Sequence, residues 1–327
     1  NLASLSKKLN TLLEGVTFGK ELLGRLFKSL PMIQTPEDLF ELRTQVERLG
    51  EYHMPGMVAK FKEVISADEK DALLKLSNLH QAFNKIESTL VDQQEDKNHK
   101  YLNCESYAFF GHVWKADELQ ELYALKRGSF LQLHFHVVEN NYADRLEEYA
   151  VWLDLNNGGI CHTVNLRPFK ALKHVKGEDS SDFIIEAGEY LSYPGKENHR
   201  IRFQSFFQRT EVAGDFQVSL NYAISDWPVL KKSLKEQLLN PLRSLAPMRL
   251  VKFAKISKVN GQYFLLGSNN CAIQLISDYK NSLGILLTIP SSSYKDAALL
   301  LSFKVLDGEL VGAPLCLINS HEKVRLV

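Results

Sequence analysis

The stretch Leu131–Glu139, LQLHFHVVE, sets two imidazoles two residues apart and a carboxylate three further on. On a β-strand the side chains at i and i+2 share a face, so His134 and His136 can reach one metal ion together. A spacing of three sends Glu139 to the opposite face unless a bulge intervenes. Cys161-His162, just after Gly158-Gly159, places a thiol beside an imidazole, the types of a nucleophile and its base or of two metal ligands. Neighbouring strand residues point to opposite faces, which favours a packed cysteine instead. Between Val229 and Asn260 eight lysines and arginines accompany one acid, Glu236. Lys231, Lys232, Lys252, Lys255 and Lys258 are therefore candidates for contact with phosphates or a partner. Lys252, Lys255 and Lys258 are spaced by three and alternate faces on a strand, and Phe253 is the one aromatic among them. A solvated basic face is the simpler reading.

The histidines also resemble those of the cupins, metal-binding jelly rolls with the motifs Gly-x5-His-x-His-x3-4-Glu and Gly-x5-Pro-x-Gly-x2-His. Gly128 stands six residues before His134, Gly188 six before Pro194, and His199 five beyond that proline. Glu139 comes one residue early, and Pro194-Gly195 is adjacent where the pattern inserts a residue. The resemblance implies a metal-dependent enzyme or small-ligand binder using His134, His136 and His199. The residues alone favour the simpler reading, a solvent-facing or hydrogen-bonded pair on a half-buried strand, with no metal site. The nucleophile elbow, the Walker A and Rossmann glycine patterns and a helical HExxH are missing, which argues against the enzyme classes that carry them.

These residues sit in a chain of 327 residues, 45% apolar and 24% charged, with a formal net charge of zero. Such a length buries a core without help from metal or disulfide. Charge balance predicts no global attraction to nucleic acid or membrane. Cys104, Cys161, Cys271 and Cys316 lie far apart with no CxxC, which points to a reducing, cytoplasmic setting. No apolar run is long enough for a membrane span, and NLASLSKKLN lacks the apolar core of a signal peptide.

The pattern predicts an α+β chain, an N-terminal helical domain followed by two small antiparallel β-rich modules, barrel- or sandwich-like. Leu12, Val16, Leu23, Leu26 and Leu30 recur at helical spacing up to Pro31. Thr35-Pro36-Glu37-Asp38 starts a second helix, which Gly50 is expected to end. Pro55-Gly56 opens a third, and Leu76, Leu79, Phe83, Ile86 and Leu90 line a fourth. Asp92–Lys100 reads as a polar linker within a helical domain of residues 1–115. From about residue 116 to 226 the segments LQLHFHVVE, EYAVWLDL, GICHTVNL, EYLSY, HRIRFQSFF and FQVSLNYAI read as strands. Residues 227–327 read as a short helix, VLKKSLKEQLLNPL, and a second β-rich domain with strands LVKFAKISKV, QYFLLG, CAIQLIS, GILLTI, LLLSFKVL and LCLI. Asn260-Gly261 and Asp307-Gly308 are its hairpin signals.

ELLGRLFKSLP up to Pro31, Met54-Pro55-Gly56-Met57-Val58-Ala59-Lys60-Phe61, LLKLSNLHQAFNKI and Tyr193-Pro194-Gly195 occur in the order seen in one family. Over about residues 12–205 the chain resembles the region that follows the zinc finger of bacterial SWIM-type zinc-finger proteins. That family's finger, Cys-x-Cys then Cys-x-His, is absent from this sequence. The resemblance implies that it would precede Asn1, and that zinc is expected only there. It further implies a non-enzymatic interaction or scaffold protein working with a MoxR-type AAA ATPase and von Willebrand factor A proteins, with nucleic acid a further partner.

Overall fold

The computed structural model describes residues 2–29, 36–65, 69–95, 106, 109–110, 112–140, 145–170, 182–195, 198–242, 246–267, 271–277, 281–306 and 308–326. The chain divides into two compact units, Asn1–Val113 with Asn240–Ser244, and Trp114–Leu239 with Leu245–Val327. Among the described residues no helix is long and apolar enough to cross a membrane.

The first unit is helical. Helix α1 (Leu2–Ser29) buries Leu12, Val16, Leu23 and Leu26, one face at 3.6-residue spacing. It lies against α4 (Glu69–Glu95), which buries Leu76, Leu79, Phe83, Ile86 and Leu90. Each such leucine contributes about 2 kcal/mol by leaving water. The helices approach closely because α1 has no side chain at Gly19, where an added Cβ would meet the Phe83 ring at 2.3 Å. Helix α3 (Pro55–Ile65) completes the core with Met57, Phe61 and Val64, the Phe61 and Phe83 rings lying 6.0 Å apart. Helix α2 (Pro36–Glu47) does not end at Gly50 as expected. It tightens into a 3-10 turn, Arg48–Tyr52, that buries Leu49, and His53 takes the left-handed cap at φ 60°. Its N–H reaches the Gly50 carbonyl at 3.1 Å. The expected linker also needs correction, since Asp92–Glu95 belong to α4. Polarity there ends the buried stripe, while Gln and Glu remain good helix formers; residues 96–100 lie outside the described residues.

In the second unit, α5 (Ala116–Leu122) precedes five strands: β1 (Lys126–Asn140), β2 (Arg145–Asp154), β3 (Ile160–Pro168), β4 (Phe183–Ser192) and β5 (Ile201–Thr210). All neighbours pair antiparallel, in the order β3-β2-β1-β4-β5. A parallel bridge, His162 to Arg200, brings β5 back to β3 and closes the sheet on itself. Inside this first barrel Phe130, Trp152, Cys161, Tyr190 and Ile201 pack together, with Phe203 edge-on to both Phe130 and Trp152. The β2–β3 turn follows the Asn-Asn-Gly-Gly signal: Asp154 accepts from the Asn156 N–H at 2.9 Å, and Gly158 takes φ 76°.

FQVSLNYAI, expected as a strand, is helical. Helix α6 (Ala213–Tyr222) sets Phe216, Leu220 and Ala223 at helical spacing in a core shared between the two β-modules. Its β-prone residues are overruled by its start. Asp215 accepts from the Val212 N–H at 2.9 Å and from both terminal nitrogens of Arg209 at 2.7 Å. Burial alone would raise the Asp215 pKa, but these bonds hold it below the usual carboxylate value.

Helix α7 (Trp227–Leu238) starts on an Asp226 cap and plugs a second barrel with Trp227, Leu230 and Leu234. This barrel contains β6 (Met248–Lys252), β7 (Lys255–Val259), β8 (Gln262–Leu266), β9 (Ala272–Leu275), β10 (Ala298–Leu306) and β11 (Glu309–Ile318), with β12 (Lys323–Arg325) beside β11. LVKFAKISKV, expected as one strand, is two: β6 pairs with β10 and β7 with β8, so the break at Phe253-Ala254 turns one strand around the barrel. GILLTI, expected as a strand, forms α8 (Ser282–Thr288), with Leu286 fully buried. A parallel pairing of β9 with β11 closes this barrel too. Counting β6 and β7 as one, both barrels run 1-2-3-5-4-1, the closed Greek-key order of the OB-fold. The outer faces of both meet in one apolar layer that includes Leu131, Leu153, Ile184, Leu250, Leu300 and Cys316.

Candidate nucleic-acid interface

In this topology ligands lie across the outer face of strands 2 and 3, between the loops joining strands 1–2 and 4–5. On the first barrel those strands are β2 and β3. Inward and outward positions follow from the core: Ala150 and Trp152 point in, so Arg145, Glu147 and Tyr149 point out, while Val151 on the same side is already buried in the layer between the barrels. Tyr149 pairs with His136 on β1 and Val164 on β3. The His136 ring stacks on Tyr149, with centroids 5.2 Å apart and planes 9° apart. The Tyr149 hydroxyl donates to Glu147 at 2.7 Å, and Arg145 donates to the same carboxylate at 2.8 Å. Burial and the bond to Glu147 push the Tyr149 pKa up, so it stays a neutral ring. Leu166 extends the face and is exposed.

Cations stand where the strands meet these connections. Arg145 opens β2 directly after the β1–β2 connection and its side chain is 40% exposed. The β4–β5 connection, residues 193–200, ends in Arg200, whose guanidinium lies 4.5 Å from the Tyr193 ring centroid and donates to the Val164 carbonyl at 3.0 Å. Val164 is the cross-strand partner of Tyr149, so Arg200 is held beside that position. A half-buried aromatic row with guanidiniums beside it is thus assembled from β1, β2, β3 and the described residues of the β4–β5 connection. An unpaired base can stack on such a row while the cations meet its phosphates.

His134 and His136 share the outer face, with ring centroids 4.9 Å apart, because a bulge between Gln132 and His134 resets the alternation. No second bulge follows on β1, so Glu139 lies on the other face. His134 is buried; desolvation, then His136 and Arg325, lower its pKa to about 3. His199 is not with them. It lies in the β4–β5 connection next to Arg200, where burial and Lys126 lower its pKa. Among the described residues no group of three or more His, Cys, Asp or Glu side chains could hold a metal ion. Cys161 points into the barrel, its thiol pushed up by burial, while His162 on the other face meets the Asn198 carbonyl through Nδ1 at 2.7 Å.

The lysines singled out by composition are spread over three elements. Lys231 and Lys232 are exposed on α7, and Lys252 ends β6. Lys255 and Lys258 fall on opposite faces of β7, Lys258 lying 5.2 Å from the Tyr263 ring centroid. Sequence reading missed Arg145, Tyr149, Tyr193 and Arg200. The four-residue interval from Arg145 to Tyr149 on one strand was the available signal, since it puts a cation and a ring on the same face.

No family model matches the chain, and no curated protein does; neither comparison links it to the SWIM-type family. Solved structures with some likeness include a murine DNA-binding protein bound with double-stranded DNA, at 6% identity over 58% of this chain and 94% of that one, TM-score 0.27. A replication protein A heterotrimer bound to single-stranded DNA matches at 10% identity over 65% of this chain and 51% of that one, TM-score 0.27. The tetrameric p202 HIN2 structure matches at 9% identity over 62% and 92%, TM-score 0.21. At these TM-scores the likeness says nothing about fold or ligand.

Proposed function

We propose that this protein binds single-stranded nucleic acid on the outer face of β2 and β3 of its first barrel, without catalysing a reaction there. The supporting observation is Tyr149 on the outer face of a closed 1-2-3-5-4-1 barrel, with Arg145 four residues before it on β2 and Arg200 bonded to the carbonyl of its cross-strand partner Val164. Stacking on Tyr149 or Tyr193 requires a base whose face is open, which single strands offer and duplexes do not. Neutrality of the whole chain is no obstacle, since the local guanidiniums supply the phosphate contacts. A scaffold role of the SWIM type, with its ATPase and von Willebrand partners, rests on the sequence motifs alone and is compatible with this surface.

The test is fluorescence anisotropy with labelled DNA and RNA single strands of roughly 12 nucleotides, titrated from about 50 to 200 mM salt. Arg145→Ala/Arg200→Ala is expected to weaken binding about tenfold or more and to flatten the log–log salt slope by about 1.4, the share of two phosphates on a single strand. Lys252→Glu/Lys255→Glu is expected to change affinity by less than about threefold, these lysines being remote solvated charges. Absence of binding by the unaltered protein at low salt would remove the proposal. Abolition by the lysine reversals with the arginine variant unaffected would move the site to the second barrel.

A further inference from the structure

We propose that Asn198 is a positioning residue through which the second barrel sets the loop of the first that carries Tyr193 and Arg200; this deepens, and rests on, the reading of that loop as part of a nucleic-acid face. A connection of eight residues, 193–200, has many conformations open to an unfolded chain, and ordering it on a ligand would weaken binding. Among its described residues, Asn198 ties it to the second barrel as well as to β3 of its own. Asn198 is buried and takes φ 51°, a left-handed conformation that Asn tolerates better than most residues. Its side-chain amide behaves as a strand neighbour would. Oδ1 accepts from the Met248 N–H at 2.9 Å, and Nδ2 donates to the Met248 carbonyl at 3.2 Å, so both polar groups of the first residue of β6 are engaged.

The remaining contacts lock the same point from two sides. Nδ2 also lies 3.4 Å from the Ile160 carbonyl at the start of β3, and the Asn198 carbonyl accepts from His162 Nδ1 at 2.7 Å. On the second barrel, Arg249 reaches Asn198 Oδ1 at 3.3 Å and the Met248 carbonyl at 2.8 Å, and its other terminal nitrogen reaches Gln237 on α7 at 2.8 Å. Two residues on, Arg200 crosses Tyr193, and the Tyr193 N–H donates to the Arg200 carbonyl at 2.8 Å. Fixing Asn198 therefore fixes the ring and the guanidinium before any ligand arrives, and binding does not have to order them.

Asn198→Gly keeps the left-handed backbone accessible and removes only the amide. Two quantities are measured: affinity with its salt slope for the same labelled single strand, and hydrogen exchange of the Tyr193 amide. The variant is expected to bind about tenfold more weakly with an unchanged slope, since no phosphate contact is lost, and to exchange Tyr193 faster. Arg200→Ala differs by flattening the slope. Wild-type affinity together with wild-type exchange would overturn the proposal even if the melting temperature fell, and so would a slope that drops along with affinity. If the unaltered protein binds no strand, the nucleic-acid reading fails by itself, and Tyr193 exchange still decides whether Asn198 sets the loop. Should Asn198→Gly fail to fold, Asn198→Asp retains the acceptor for Met248 and Arg249 while losing both donors; faster Tyr193 exchange supports the proposal and unchanged exchange overturns it.

Discussion

The two barrels share a strand order and differ at the places where such barrels hold ligands. In the first, residues 141–144 and 193–200 separate the strands on either side of the candidate face. In the second, the equivalent connections are the two-residue steps 260–261 and 307–308, with Asn260 and Gly261 at φ 50° and 83° as a tight hairpin requires. The cores differ in the same sense. Rings from the first barrel's own strands fill its interior, whereas a helix outside the sheet plugs the second. Two copies of one topology thus differ in the length of these connections, and β6 of the second bonds Asn198 of the first.

Acid should separate the barrels most. Burial lowers His134 to about 3 and His162 to about 4, against 6.5 in an open chain. Both are therefore neutral when folded, and the unfolded chain binds more protons below pH 6.5. Their contribution is complete above that pH and declines as pH falls toward 4, by about 2–3 kcal/mol for each histidine between pH 7 and 4.5. Urea midpoints at the two pH values measure it, and His134→Gln/His162→Gln should flatten the dependence. An unchanged midpoint would mean that these imidazoles are open to water.

Trp227→Ala should come next. The ring is fully buried, its Nε1 donates to the Lys252 carbonyl at 3.1 Å, and Gly267 leaves room for it. Its loss should cost about 3–5 kcal/mol in equilibrium unfolding. A loss below 1 kcal/mol, on the scale of a surface substitution, would show that α7 is not the plug. The smallest pair compares one glycine from each barrel. At Gly158 an added Cβ would meet the Tyr222 ring at 2.4 Å on a φ of 76°, and Gly158→Ala should cost about 3 kcal/mol. At Gly261 φ is 83° with open space around it, so Gly261→Ala should cost only about 1 kcal/mol. Equal losses would mean that backbone strain alone sets both.

Much of the fold was legible in the sequence because most segments carry a clear period. Leu76 to Leu90 can bury a single face only as a helix, and Asn-Gly pairs mark turns by their backbone freedom. The errors fall where propensity and context disagree. FQVSLNYAI and GILLTI are rich in β-prone residues, yet the first is started by Asp215 and Arg209 and the second is short enough for tertiary burial to decide. The site was less legible. His134 and His136 drew attention by type, while Tyr149 and Arg200 acquire meaning only once β3 and β5 close the sheet. Asn198 carries no pattern at all, since its partners belong to β3, β6 and α7.

The glycine at position 19, which lets the Phe83 ring rest against α1, has a consequence for how the helical unit folds. Gly15 and Gly24 lie on the same helix, and each glycine lowers intrinsic helicity by about 1 kcal/mol relative to alanine. Alone, α1 would remain mostly coil. Its order therefore depends on packing against α4, about forty residues further along the chain, so a substitution that weakens that contact should unfold α1 as well.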